Sequence, residues 1–134
     1  MATMARHSFG LIDTFLHLKD GGAAERVEVD EDFWSQIGKR TELHAGRLMG
    51  SLRLSADTPT WEMHPAGDEF LYLMTGAADV VLQDINGERV VELETGEGCL
   101  VPRGLWHRLL IRSPMILMFV TPGKGTQIRP VGEE

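Results

Sequence analysis

The chain has 134 residues, the length of one ordinary domain, and its 13 Lys and Arg against 20 Asp and Glu give a formal charge of −7. A phosphate backbone would be repelled, so no nucleic acid partner is expected. A hydrophobic fraction of 43% with 25% charged residues is globular, and apolar runs such as 115–120 are far too short for a bilayer, so no membrane partner is expected.

The opening Met-Ala-Thr-Met-Ala-Arg-His-Ser carries no leader-like apolar stretch, and a single cysteine cannot close an internal disulfide. Together they predict a cytoplasmic protein. Fifteen glycines and six prolines among alternating segments indicate many short strands and tight turns, hence an all-β chain.

In chain order, 13–18 reads as a strand before the turn 19–22, and 26–29 as extended with Val27 and Val29 on one face. A short helix follows, with Asp30 as N-cap, Glu31 and Asp32 at the positive end of its dipole, and Gly38 as a left-handed C-terminal residue. Val29 and Trp34 occupy the positions of a hydrophobic staple. From Gly46 the period is two. Leu48, Gly50, Leu52 and Leu54 share one face, while Arg47, Met49, Ser51 and Arg53 form the other, read as solvated.

Residues 61–64 form the next strand, and 69–74 an apolar one stopped by Gly76. The runs 80–85 and 88–93 flank Asn86-Gly87, a strong hairpin signal. Strands at 99–101, 106–111 and 115–121 are broken by Pro102-Arg-Gly and Ser113-Pro114. Eight to ten short strands without a long helix predict a closed or sandwiched β-barrel. Residues 1–45 are read as strands and a short helix packed on the barrel, 46–122 as its core and 123–134 as an extended tail, all within one domain. No fixed repeat and no helix-turn-helix spacing is present.

Glu62 and His64, two apart on a strand, leave the same face, and Glu69 follows beyond a Pro-Ala-Gly turn. His107 starts another strand, with Leu109 and Ile111 continuing on its side. These groups can converge. Imidazole nitrogen with carboxylate oxygen suits Fe(II), Mn(II), Ni(II) or Zn(II), and the absence of thiolates argues against an iron–sulfur or zinc-finger site. His7, His17 and His44 lack such company and are read as structural or exposed. Cys99, beside Leu100 and Val101, reads as a small buried hydrophobe.

At these residues the chain resembles a cupin. The first motif of that superfamily, G-x5-H-x-H-x3–4-E-x6-G, corresponds to Glu62-x-His64-x4-Glu69-x6-Gly76; the second, G-x5-P-x-G-x2-H-x3-N, corresponds to Gly96-x5-Pro102-x-Gly104-x2-His107. Nearly every spacing agrees. Three positions depart: Ala56 replaces the first glycine, Ile111 the final asparagine, and Glu62 the first histidine. The resemblance implies a jelly-roll barrel with a divalent transition metal (Fe, Mn, Ni or Zn) held by His64, Glu69, His107 and Glu62. With Glu62 as a ligand the site is formally neutral rather than singly positive, which favours oxygen-loving ions. Off the metal, Glu62 would act as a base beside a two-histidine, one-carboxylate triad.

The resemblance further implies a small-molecule pocket lined by Leu71, Leu73, Trp106, Leu109 and Ile111, with Glu62 or Glu69 as the proton-moving catalytic group. Dioxygenase-type chemistry on a small organic acid or aromatic compound comes first. A non-catalytic binding or sensing barrel, or an isomerase or lyase acting on a sugar or keto acid, are the alternatives. The 69–74 strand is apolar on both faces, Leu71 and Leu73 on one and Phe70, Tyr72 and Met74 on the other, so its outer face is expected to be covered by the N-terminal segment or by a second subunit, with a homodimer favoured.

Overall fold

The structure is a computed structural model that describes residues 8–132. Its strands are β1 (Thr14–Leu18), β2 (Ala24–Glu28), β3 (Arg47–Leu54), β4 (Thr60–Met63), β5 (Glu69–Asp84), β6 (Gly87–Glu94), β7 (Gly98–Val101), β8 (Trp106–Pro122) and β9 (Gln127–Pro130), with one helix, α1 (Phe33–Gln36). All pairings are antiparallel. No helix among the described residues is long and apolar enough to cross a membrane.

Two strands are long enough to build both layers of the barrel. The second half of β8 pairs with β3, and the first half of β5 pairs with β7; the opposite halves pair with β4 and β6 respectively. β5 and β8 also pair with each other from Phe70↔Val120 to Gln83↔Trp106. The expected stops at Gly76 and Ser113-Pro114 are therefore corners, and the strands continue through them. Gly76 has φ +96°, and a Cβ there would stand 2.4 Å from the Pro114 carbonyl oxygen, so the bend requires glycine. Register shifts between Leu73 and Ala78 mark the same corner.

The inward side chains form one apolar core that joins both layers, including Phe15, Leu48, Leu71, Leu73, Val80, Leu82, Leu109, Leu117 and Phe119. Phe15 meets Phe33 and Phe119 edge-on at 5.2 Å. Gly50 makes room for it, since a Cβ would lie 2.2 Å from the Phe15 ring.

Four local expectations are corrected. The helix is a single turn that passes into 3-10 turns at Ile37–Lys39 and Thr41–Leu43, so Gly38 lies inside a turn without positive φ rather than capping a helix. Asp32 stands at the N-cap with no side-chain bond, while Asp30 Oδ1 accepts from the Asp32 amide at 3.0 Å. Phe33 is the buried aromatic, whereas Trp34 is 47% exposed. On β3, Ser51 is buried, and its amide donates to Leu11 O at 2.9 Å; Arg47 and Arg53 are exposed as expected.

The expected hairpin forms, with its turn one residue earlier than Asn86-Gly87 implies. Asp84 pairs with Gly87 across Ile85-Asn86, and Gly87 at φ +111° starts β6. Of the C-terminal stretch, 123–126 form a turn and 127–130 add an edge strand to β4.

Candidate metal centre

Alternation and register bring the four singled-out residues together. Glu62 pairs directly with His107 across β4 and β8, so both leave the sheet on one face. His64 follows the end of β4, and Glu69 opens β5. Two turns are tied to each other beside them: the Gly104 amide donates to His64 O at 3.0 Å, and the Arg103 amide to Asp68 Oδ1 at 2.8 Å. Gly104, at φ +85°, supplies the left-handed residue of the second turn.

His107 Nε2 lies 2.8 Å from Glu69 Oε1, and His64 Nε2 lies 3.4 Å from Glu69 Oε2. The imidazole centroids are 5.3 Å apart. Glu62, His64 and His107 each offer a ligating atom within 4.8 Å of the other two. His64, Glu69 and His107 are buried, and Glu62 is half-buried.

The donors are individually held. Thr121 Oγ1 donates to Glu69 Oε2 at 2.5 Å, Thr126 Oγ1 contacts His64 Nδ1 at 2.9 Å, and His107 Nδ1 faces Leu105 O at 3.4 Å. Neither threonine is singled out by motif spacing. Thr121 is in phase with Leu117 and Phe119, so alternation alone could have placed it inward; nothing in the sequence marks Thr126.

Electrostatics separate the two carboxyls. Burial and the neighbouring Glu69 charge raise the Glu62 pKa above its ordinary value. Burial also pushes Glu69 upward, but contacts with His107 and then His64 outweigh it and bring Glu69 down to about 2. His107 is opposed by burial yet is raised overall by Glu69. A cation fits this set. His64 Nε2 and Glu69 Oε1 are buried without an aligned hydrogen bond, and a divalent ion would satisfy nitrogen and oxygen donors while neutralising two adjacent carboxylates.

Leu71, Leu73 and Leu109 belong to the closed core, and Ile111 is half-buried against it. Trp106 precedes His107 on β8; adjacent strand residues point to opposite faces, and its ring lies under the Arg129 guanidinium, 4.3 Å from the ring centroid. Clefts of about 330 and 260 Å³ lie elsewhere on the surface and include none of the four residues.

His17 and His44 are structural, with Nε2 at 2.7 Å from Ala45 O and 3.0 Å from Ile37 O; His7 lies outside the described residues. Cys99 is buried, and burial pushes its thiol pKa up.

Residues 52–121, just over half the chain, match the family described as "Cupin domain". Comparison with curated protein sequences finds no significant match. Among solved structures, a cupin-2 domain protein from Shewanella frigidimarina aligns at 20% identity and TM-score 0.49, over 57% of this chain and 70% of that one. Oxalate oxidase in complex with the substrate analogue glycolate aligns at 19% identity and TM-score 0.52, over 63% and 46%. The formate complex of Lactobacillus farciminis oxalate decarboxylase aligns at 16% identity and TM-score 0.53, over 63% and 26%. The alignments with these two take in less than half of each longer chain. At such identities the likeness is one of fold.

Proposed function

This chain belongs to the cupin family, and from that premise we propose that it is a cytoplasmic, metal-dependent enzyme of dioxygenase type acting on a small organic acid or aromatic compound. The observation that carries the reading is the convergence of Glu62, His64 and His107 to within 4.8 Å, with Glu69 against both imidazoles. Oxalate oxidase by its name acts on a small organic acid, and that class is carried to this chain as part of the proposal.

His64, His107, Glu69 and Glu62 would hold the ion. A divalent transition metal there supplies Lewis-acid polarisation and, as Fe(II) or Mn(II), electron transfer with dioxygen. The two carboxyls divide the remaining work. Glu69, held ionised and fixed by Thr121, is a permanent charge. Glu62, whose carboxyl is pushed above its ordinary pKa by burial and by Glu69, is the group placed to accept or return a substrate proton when it stands off the metal. Glu62 is also the least buried of the four, so substrate approaches from its side. Half-buried Phe70 and Tyr72, with Met74 and Leu100 at 44% and 65% exposure, form the outer face that a second copy would cover in a homodimer.

The test is metal analysis of protein purified without chelator or nickel affinity resin, beside Glu62→Ala and His107→Ala. Stoichiometric transition metal in the wild type and its loss in His107→Ala are expected, followed by oxygen consumption of the Fe(II)-loaded protein with keto acids, diketones or catechols. A wild type without stoichiometric metal overturns the reading. Metal without turnover across the panel would favour the non-catalytic binding barrel.

A further inference from the structure

The C-terminal stretch 123–130 brings a hydroxyl to the imidazole of His64, whose other nitrogen has no aligned hydrogen bond. We propose that Thr126 is a positioning residue for His64: its Oγ1 accepts a hydrogen bond from Nδ1–H and thereby holds Nε2, unprotonated, toward Glu62 and His107. The inference rests on the metal-site reading above.

The two ring nitrogens have unequal surroundings. Nδ1 has an oxygen at 2.9 Å, a normal hydrogen-bond distance. Nε2 is buried, and its nearest acceptor, Glu69 Oε2, is at 3.4 Å without hydrogen-bond alignment. The aligned hydrogen bond is therefore at Nδ1, while Nε2 meets Glu69 only in an unaligned ion-pair contact, and the hydrogen bond made by one nitrogen selects the tautomer at the other. That tautomer leaves a lone pair on the nitrogen facing the other donors.

Thr126 is itself held from several sides. Its amide donates to Gly123 O at 3.2 Å, closing a turn. Within that turn, a Cβ on Gly125 (φ +75°) would be 3.0 Å from the Pro65 ring, and one on Gly123 would be 3.1 Å from Leu43 O. The next residue, Gln127, is in register with Met63, which precedes His64. The turn is thus pinned against the segment that carries the histidine, and the hydroxyl has little freedom to drift.

The experiment compares wild type, Thr126→Val and Thr126→Ser, with Zn²⁺ as the diamagnetic probe. Zn²⁺ affinity is read by competition with a chromophoric chelator, and the His64 ring nitrogens by ¹⁵N–¹H correlation in the metal-free proteins. Loss of an outer hydrogen bond to a ligating histidine weakens binding about 10- to 100-fold, expected for Thr126→Val, with Thr126→Ser within about threefold of wild type. The Nδ1–H form should dominate in wild type and Thr126→Ser and give way to a mixture in Thr126→Val. A valine variant that binds Zn²⁺ as wild type does, or keeps the wild-type tautomer, overturns the proposal. So does a serine variant as weak as valine, because that marks lost packing and not a lost acceptor. If wild type binds no Zn²⁺, the metal-site reading fails, and the tautomer comparison alone decides the role of Thr126.

Discussion

Two layers of the barrel interior, four residues apart along the strands, follow opposite rules. In one, Leu52, Leu117 and Leu73 meet across β3, β8 and β5, and Leu73 has no exposed surface at all. In the other, His17 and Leu48 lead across to Thr121 and Glu69, with His64, His107 and Glu62 alongside. The first layer gains from every contact it makes. The second holds two carboxyls and three imidazoles whose geometry is set by turns, backbone carbonyls and hydroxyls, and one of them, Glu62, is held in an environment that resists its ionisation. Stability and chemistry are thus separated within one core, and the apolar layers offset what the polar one costs.

The largest effect should come from breaking the apolar layer. Leu73→Ala removes a fully buried side chain and is expected to cost about 2–5 kcal/mol in denaturant unfolding while leaving metal stoichiometry unchanged. The same variant decides between core and pocket. If Leu73 lined a substrate cavity, truncation would alter ligand binding at little cost in stability, and a loss below about 1 kcal/mol would contradict the closed interior described above.

An intermediate effect of opposite sign is expected in the polar layer. Glu62→Gln should stabilise the metal-free protein on urea unfolding at pH above the ordinary carboxyl range, while weakening metal binding. Because the folded pKa of Glu62 is raised, its ionisation penalises the fold only as pH rises above the ordinary value of 4.5, so the gain should vanish below that pH. Glu69 runs the other way: its contribution is present above 4.5 and is lost as pH falls toward about 2. His107 stabilises the metal-free fold below 6.5, and that contribution fades as pH climbs through its raised value. Metal must expel protons from Glu62 and His107, so the metal-induced rise in Tm should widen between about pH 5 and about pH 8. Thermal melts across that range, with and without Zn²⁺, provide the check; a shift that narrows with pH would contradict proton release at these two groups.

The two layers also differ in how much of them the sequence discloses. Period-two alternation places Leu48, Leu52, Leu71, Leu73 and Leu109 inward, and the motif resemblance from Glu62 to His107 points to four members of the polar layer, though not to His17 or Thr121. What escapes is of two kinds. Gly76 and Pro114 read as stops because local conformational preference cannot distinguish the end of a strand from a corner; only pairing across the corner shows that β5 and β8 continue. Thr126 escapes because its partner, His64, is 62 residues away and shares no periodicity with it. Trp106 adjoins His107 in the sequence, yet alternation assigns neighbours to opposite faces, and its ring lies under Arg129.

The smallest expected effect lies on the apolar side, at Gly38, and it tests local conformation without touching the interior. A left-handed C-terminal glycine, as the sequence implies, would make Gly38→Ala unfavourable by about 1 kcal/mol, because a Cβ clashes in that region. The structure instead places Gly38 between Ile37 and Lys39 in a 3-10 turn, without positive φ and with nothing within 4 Å of where a Cβ would stand. Alanine there narrows the unfolded ensemble without strain, so stability should rise by about 0.4–1 kcal/mol. Ile37 packs against the core on the inner side of this turn, so the gain belongs wholly to the apolar framework. Metal affinity should be unchanged, and a fall in stability on urea unfolding would restore the left-handed cap.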